Sequence, residues 1–97
     1  MNGPELLSFV MRAKNRKLIL ALLEKGPKIP AQIMKETGMY KSHTSRALAE
    51  LSGEKLVFCR NPGDRAFRFY ALTPKGKKIL KAASELSRQI QKWQTSI

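Results

Sequence analysis

The sequence predicts a mainly α-helical domain that carries one small β-hairpin. Three observations indicate this class. Apolar residues recur at helical steps of three and four residues through most of the chain. Two β-type runs enclose the turn signal Asn61-Pro62-Gly63-Asp64, which is typical of a hairpin. A seven-residue apolar repeat follows and continues to Ile97, which predicts a long final helix.

Length and composition predict one soluble domain that spans residues 1–97. The chain has 97 residues, of which 42% are hydrophobic and 27% charged, as in an ordinary globular protein with a small core. No apolar run reaches the length of a membrane span, and the first residues lack the pattern of a secretory signal. A single cysteine cannot form an internal disulfide. We therefore expect a cytoplasmic protein that does not contact membranes.

The charge predicts a polyanionic partner. Nineteen Lys and Arg residues stand against seven Asp and Glu residues, which gives a net charge of +12 at pH 7. The basic residues are spread over both halves of the chain, so they do not form a basic tail on a neutral domain. The alternative is a solvated surface without a partner. Charge alone does not separate DNA from RNA or from acidic lipid.

Two helices are predicted before residue 27. The apolar segment Pro4 to Met11 begins with a proline that suits a first helical turn. Asn15 is the predicted cap of a second helix that runs to about Lys25 and ends at Gly26-Pro27. Its predicted apolar stripe is Leu18, Ile19, Leu22 and Leu23.

A helix-turn-helix is predicted at the centre of the chain. A third helix opens at Pro30 and ends at Gly38, and the central helix then runs from about Lys41 to between Gly53 and Lys55. The short glycine-containing turn between these two helices is the helix-turn-helix signature. The central helix has a core side and a polar, basic front. The predicted core side consists of Thr44, Ala47, Leu48 and Leu51.

The hairpin and the start of the last helix follow directly. The strands are predicted at Leu56 to Arg60 and at Ala66 to Leu72, with three arginines close to the turn: Arg60, Arg65 and Arg68. Thr73-Pro74 supplies a capping hydroxyl and a proline at the first helical position. Cys59 is interpreted as a buried apolar residue rather than a redox switch.

The last helix predicts self-association. Its apolar repeat consists of Ile79, Ala83, Leu86, Ile90, Trp93 and Ile97. We expect the helix to extend about five turns beyond the compact part of the chain, where a small domain has little to cover it. The first helix would add Leu6, Leu7, Phe9 and Val10 to the same dimer interface. The alternative is a long helix that packs on its own domain.

Three stretches resemble the winged helix-turn-helix transcription regulators of the MarR and ArsR type, especially small archaeal members. They are Asn15 to Leu23, Thr37 to Leu48 and Tyr70 to Gly76. The resemblance implies a single winged-helix domain with a core at 12–74 and dimerisation helices at 4–11 and 75–97. It also implies a transcriptional regulator that binds a pseudo-palindromic site on double-stranded DNA as a homodimer.

Mapped onto this chain, the resemblance places the central helix in the major groove and the hairpin against the backbone or minor groove. The implied DNA-binding residues on the helix are Tyr40, Lys41, Ser42, His43, Ser45 and Arg46. On the hairpin they are Arg60, Arg65 and Arg68, and weaker phosphate candidates are Arg16, Lys17 and Lys28. Arg46 can donate twice to a guanine edge, and its alternatives are a phosphate contact or an ion pair with Glu50. Arg65 would enter the minor groove unless the hairpin is merely solvated.

The sequence departs from the family pattern at three points. Tyr40 stands where the recognition helix often has a Ser or Thr cap. Lys55 stands where a glycine often precedes the first wing strand. Because a left-handed lysine would cost about 1 kcal/mol, we expect the chain to leave the helix at Gly53 instead. The cysteine pair of ArsR-type metal sensors is absent, so we expect neither a metal site nor a cofactor.

Two other functions compete with specific regulation. A winged helix can be a protein-interaction module, and a basic one can coat nucleic acid or chromatin without sequence preference. An enzyme is the least favoured function, because one Cys, one His and few acids offer no nucleophile–base pair and no phosphate loop. The sequence shows no obvious pocket for a small-molecule effector, and whether one exists is unknown.

Overall fold

The computed structural model describes residues 1–96 of the chain, with side chains described to residue 94. Five helices and one two-stranded antiparallel sheet follow one another in the predicted order. The elements are α1 (Gly3–Met11), α2 (Lys14–Leu23), α3 (Pro30–Thr37), α4 (Lys41–Gly53), β1 (Val57–Cys59), β2 (Tyr70–Leu72) and α5 (Pro74–Ser96). The last position of the predicted repeat, Ile97, lies outside the described residues.

One apolar core joins all of these elements. Its buried members are Leu6, Phe9, Val10, Ile19, Leu20, Leu23, Ile33, Met39, Ala47, Leu48, Leu51, Leu56, Val57, Leu72, Leu80 and Ala83. The core side predicted for α4 is confirmed, and its one polar member, Thr44, donates its hydroxyl to the carbonyl of Tyr40 one turn earlier. With this side buried, the remaining residues of α4 face solvent.

The turn between α3 and α4 is set by Gly38 and Thr37. Gly38 has a φ of 76°, the left-handed conformation that ends helices, and its N–H bonds the carbonyl of Met34. The Thr37 hydroxyl accepts a hydrogen bond from the N–H of Met39. The Met39 side chain is then buried in the core. The predicted helix-turn-helix is therefore present, and its turn fixes the direction in which α4 leaves.

The predicted start and apolar stripe of α2 were partly wrong. The residue before the helix is Ala13, which makes no side-chain cap, and Asn15 lies inside the first turn. Leu20 is fully buried, whereas Leu18 is 37% exposed. The reason is that α2 contacts α1, α4 and α5 at once. Its buried surface therefore covers more of the helix circumference than a single apolar stripe would.

The hairpin strands are shorter than predicted. Three residue pairs form the antiparallel ladder between β1 and β2: Val57 with Leu72, Phe58 with Ala71 and Cys59 with Tyr70. The backbone of Lys28 pairs with Tyr70 on the other edge of β2. Residues 66–69, predicted as strand, lie outside β2. The carbonyl of Phe69 still accepts a hydrogen bond from the N–H of Arg60, but the other paired backbone groups of this segment bind the side chains of Asn61 and Asp64.

Lys55 adopts the left-handed conformation that the sequence analysis expected the chain to avoid. Its φ is 60°, and α4 continues to Gly53 instead of turning out there. The N–H of Leu56 reaches back to the carbonyl of Leu51, which is the pairing that closes a helix with a left-handed residue. This turn carries Leu56 and Val57 directly into the core, and their burial offsets the strain at the exposed Lys55.

The start of α5 is confirmed, but its overhang is shorter than predicted. The Thr73 hydroxyl accepts the N–H of Gly76 and donates to the carbonyl of Lys55. Leu80 and Ala83 are buried, and the ammonium of Lys17 donates to Ser87, so α5 contacts its own chain up to that residue. Residues 88–96 extend roughly 14 Å further, about two and a half turns rather than five. Within residues 1–96 no helix is long and apolar enough to cross a membrane.

Candidate nucleic-acid interface

The front of α4 consists of short polar and basic side chains. Exposed residues on it are Lys41, Ser42, His43, Ser45, Arg46 and Ala49. These side chains are short apart from the two cations, so the helix backbone can approach a flat or grooved surface closely. Tyr40 is 76% exposed at the start of the helix, and its ring meets the His43 ring edge-on, with centroids 5.9 Å apart. This ring pair fills the corner where a Ser or Thr cap would stand, since Tyr40 makes no side-chain cap.

One groove connects α4 with the hairpin. It is lined by Ile29, Pro30, Ala31, Met34, Lys41, Thr44, Ser45, Arg65, Ala66, Phe67, Arg68 and Tyr70. We call it the helix–wing groove, where the wing is the hairpin Val57–Leu72. Three cations line it and no carboxylate does among the described residues. The structure therefore brings together Lys41 and Ser45 from α4 with Arg65 and Arg68 from the wing, which are some twenty residues away in sequence.

Arg46 lies on the opposite flank of the same helix front. It lines a depression with His43, Arg16 and Glu50, about 140° around the helix axis from Lys41. The ion pair with Glu50 that was its alternative role does not form. Glu50 instead accepts two hydrogen bonds from the Arg16 guanidinium, at 2.9 and 3.3 Å. Arg46 is thus left exposed at the front.

Arg16 is held inside the domain. Besides Glu50 it donates to the carbonyl of Phe9 at 2.7 Å, and its guanidinium lies 3.8 Å from the centroid of the Phe9 ring. Its side chain is only 16% exposed. The hydrogen bonds from Arg16, with smaller contributions from the charges of Arg16 and Arg46, lower the pKa of Glu50. Arg16 therefore joins α1, α2 and α4 and has few donors left for a phosphate.

The loop at the tip of the wing is held in place by hydrogen bonds from its own side chains to its own backbone. Asp64 accepts hydrogen bonds from the N–H groups of Ala66 and Phe67, which lower the pKa of its carboxyl. Asn61 donates to the carbonyl of Phe67 and accepts from the N–H of Phe69. These two side chains therefore fix the backbone of the loop where it leads back to β2. The sequence showed them as turn residues, but it did not show that they bind the backbone of the predicted second strand.

The remaining predicted cations differ in the hydrogen bonds and ion pairs that they already make within the chain. Arg68 donates from Nε to the carbonyl of Asp64, which leaves its outer nitrogens to face the helix–wing groove. Lys28 forms an ion pair with Glu36 at 3.4 Å and is 18% exposed. Arg60 is exposed beside Pro27 and Phe69 and does not line the helix–wing groove. Arg65 makes no salt bridge with a described residue. Arg65 is therefore the wing cation best placed for an external anion.

The predicted dimer residues fall into three groups according to their burial. Leu6, Phe9, Val10 and Ala83 are buried inside the chain itself and offer little surface to a second copy. Leu7 and Ile79 are partly buried against the core. Leu86, Ile90 and Trp93 are 36%, 45% and 74% exposed at steps of four and three residues along α5. The predicted interface thus narrows to this exposed stripe.

The aromatic side chains of the wing were not among the residues predicted to form the site. Phe58, Phe67 and Phe69 are 45%, 58% and 39% exposed. All three lie within the predicted strands, and the sequence does not show that each remains uncovered. Cys59 is half-buried and its thiol contacts Asn61. Among residues 1–96, no three His, Cys, Asp or Glu side chains come together as a potential metal site.

Comparison with known proteins identifies the fold. No family model matches the sequence, and no curated protein matches it. Solved structures do match, and they show the winged-helix fold of MarR-type transcription regulators, with five helices, an antiparallel hairpin and a long C-terminal helix. The likeness to this class that was predicted from the sequence is confirmed at the level of the fold. The comparisons do not bear on the likeness to small archaeal members.

Three of the similar solved structures illustrate the match. A MarR family transcription regulator superposes with a TM-score of 0.74 at 23% identity, covering 88% of this chain and 58% of that one. A mutant of MepR from S. aureus gives 0.80 at 18% identity, covering 97% and 72%. A PadR family transcription regulator from Clostridium difficile gives 0.74 at 22% identity, covering 87% and 97%. The chain thus spans less than two thirds of the length of the first of these.

Proposed function

We propose that this protein regulates transcription by binding a specific site on double-stranded DNA as a homodimer. The observation that carries the proposal is the helix–wing groove, in which Lys41 of the recognition helix lies with Arg65 and Arg68 of the wing. A helix with short side chains beside a positively charged loop matches the alternation of a major groove and a phosphate backbone. The net charge of +12 favours the same partner.

We assign some of these residues to base contacts and others to phosphate contacts. Arg46 is exposed and makes no ion pair with a described carboxylate, so its planar guanidinium is available to the O6 and N7 atoms of a guanine. Ser42, His43 and Ser45 supply further polar contacts on the same front. Lys41, Arg65 and Arg68 bind phosphates along the rim of the groove. Arg16 instead links α2 to α4 through Glu50, and Lys28, which precedes α3, pairs with Glu36 at the end of that helix.

Dimerisation follows from the exposed stripe of α5. Leu86, Ile90 and Trp93 form an apolar line that a second copy of the same helix covers. A two-fold pair of recognition helices about one duplex turn apart, roughly 34 Å, reads a pseudo-palindromic site. The domain would then combine a DNA-reading core at 12–74 with a dimerisation helix at 75–97, against which α1 packs within the same chain.

Selection of bound duplexes from a random pool tests the function. We expect recovery of a pseudo-palindromic sequence that the protein binds at least about a thousandfold more tightly than random duplex. Arg46→Ala should lose the preference at one base pair per half-site, because a bidentate contact to guanine would be gone. Arg65→Ala should weaken binding to all duplexes by a similar factor, because a phosphate contact carries no sequence information.

Arg88→Ala is the matched control, since Arg88 is an exposed arginine on α5 whose partner is the neighbouring Glu85. It should bind like the wild type. Equal affinity for the recovered and random duplexes would replace specific regulation with non-specific coating of nucleic acid. Folded Arg46→Ala and Arg65→Ala variants that bind as the wild type does would contradict the proposed interface.

A further inference from the structure

Phe67 is held in an exposed position by its backbone. Its ring is 58% exposed on the wing. Its N–H donates to Asp64 Oδ1 at 2.9 Å, and its carbonyl accepts from Asn61 Nδ2 at 2.6 Å. Both backbone groups of this residue are therefore fixed by side chains of the same loop. The folded loop itself therefore holds the ring in its exposed position.

The surroundings of Phe67 are cationic. Arg65 and Arg68 flank it in sequence, and all three line the helix–wing groove with Lys41. A purely apolar partner would leave these charges desolvated and unpaired, which is costly. A partner with phosphates on the outside and flat apolar surfaces within reach satisfies both the cations and the ring. A DNA duplex has this arrangement at a base step, where the sugar-phosphate strands border the stacked bases.

We propose that Phe67 inserts between two stacked base pairs from the minor groove and bends the duplex next to the site read by α4. This inference rests on the proposed DNA-binding function and adds an action to it. Arg65 and Arg68 would neutralise phosphates on either side of the opened step. Apolar wedges of this kind kink duplexes by about 20–90° toward the major groove, and flexible pyrimidine–purine steps such as TA are kinked most easily.

The experiment measures the bend by energy transfer between dyes at the two ends of a duplex. The probe is a duplex of about 30 base pairs recovered by the wild-type protein from a random pool, a length over which such bends are resolved. We expect the wild type to shorten the end-to-end distance. Phe67→Ala should abolish at least half of the change in bend angle, while binding remains measurable. Phe67→Leu should restore the bend because leucine is also an effective wedge.

Phe58→Ala is the matched control. Phe58 is another exposed wing phenylalanine, 45% exposed on β1, but it does not line the helix–wing groove. It should bend the duplex as the wild type does. Circular dichroism and thermal unfolding of every variant establish that the fold is intact.

The outcomes separate this inference from the proposed function. A duplex that is bound but stays straight, or is bent equally by Phe67→Ala, overturns the wedge and leaves DNA regulation standing. Absence of duplex binding by the wild type overturns both. Tighter binding to single-stranded than to duplex DNA, lost in Phe67→Ala, also overturns the wedge and assigns the ring to stacking on unpaired bases.

Discussion

Lys55 carries the left-handed backbone conformation at the end of α4, with a φ of 60°. The side chain is exposed, so the position contributes through its backbone alone. Glycine has no Cβ and adopts this conformation without the steric cost that a lysine bears. The chain keeps the turn because it delivers Leu56 and Val57 to the core.

Replacing Lys55 should therefore stabilise the protein. We expect Lys55→Gly to raise the free energy of unfolding by about 0.5–1 kcal/mol, because relief of strain outweighs the added chain entropy of glycine. Urea denaturation measures the change. Lys55→Ala removes the same charge but keeps a Cβ, so it should show no such gain. A lower stability of Lys55→Gly than of Lys55→Ala would contradict the account of this turn.

Glu50 links the stability of the fold to pH. Its pKa is lowered below the ordinary value of 4.5, first by the hydrogen bonds from Arg16 and then by nearby positive charge. The folded protein thus binds this proton less readily than the unfolded chain does. The stabilisation is complete above pH 4.5 and is lost as the pH falls through the lower folded pKa.

Glu50→Gln should make unfolding less dependent on acid. We expect urea midpoints below about pH 5 to fall less steeply for this variant than for the wild type. Arg16→Gln should flatten the same part of the curve because it removes the donor that lowers the pKa. Asp64, whose pKa is also lowered, stays intact in both variants and supplies an internal reference. A pH profile unchanged by Glu50→Gln would show that this pair does not couple folding to protons.

At the scale of elements, the junction of α5 with the wing depends on Gly76. A Cβ built at this residue would overlap the carbonyl oxygen of Leu56. The first turn of α5 can approach Leu56, the residue before β1, this closely only because the side chain is absent. We expect this contact to help fix the angle between the wing and the rest of the domain, and with it the width of the helix–wing groove.

Gly76→Ala should destabilise the domain although alanine favours helices. We expect a loss of about 1–3 kcal/mol, the usual cost of overpacking, measured by urea denaturation. Gly63→Ala on the wing is the control, because a Cβ there would meet nothing within 4 Å. If both substitutions lowered the free energy of unfolding by the same small amount, the junction would have relaxed to admit the added methyl group. The contact at Gly76 would then not determine the shape of the groove.

The exposed stripe of α5 provides a fluorescent test of pairing, because Trp93 is the one tryptophan in the sequence. In a single chain it is 74% exposed. Its emission should shift to shorter wavelength as protein concentration rises and a second copy covers it. Ile90→Lys should prevent the shift and sediment as a monomer.

Ser84→Lys is the matched control for this test, since Ser84 is an exposed α5 residue on the face opposite Leu86. It should shift as the wild type does. An emission maximum independent of concentration, together with a monomer by sedimentation at all concentrations, would end the proposed dimer.

Over the whole molecule, patterns local in sequence predicted the fold well. The buried side of α4, the Gly38 turn and the Thr73 cap each depend on residues within one or two helical turns. The contacts that sequence reasoning missed join distant residues. Arg16 binds Glu50, which leaves Arg46 without the intrahelical ion pair that was the alternative to its predicted DNA contact. The burial of Leu20 in place of Leu18 depends on three neighbouring helices and is equally invisible to one helical pattern.

The candidate interface was predicted in part for the same reason. The cations of the recognition helix and wing could be named because their residue types and elements are local features. Their meeting in one groove depends on the angle between α4 and the wing, which Lys55 and Gly76 set through the backbone. The exposed ring of Phe67 depends on side-chain caps from Asn61 and Asp64 that shorten the strands.

The central claim is that α4 and the wing bind the same DNA duplex. A salt titration of binding to the duplex recovered from the random pool tests this claim most directly. If about eight phosphates are neutralised, the association constant should fall as roughly the seventh power of salt concentration. Replacing Lys41 and Arg65 together by alanine should reduce this exponent by about two for each bound protomer. A nearly flat response, or an exponent that the double replacement leaves unchanged, would contradict the account.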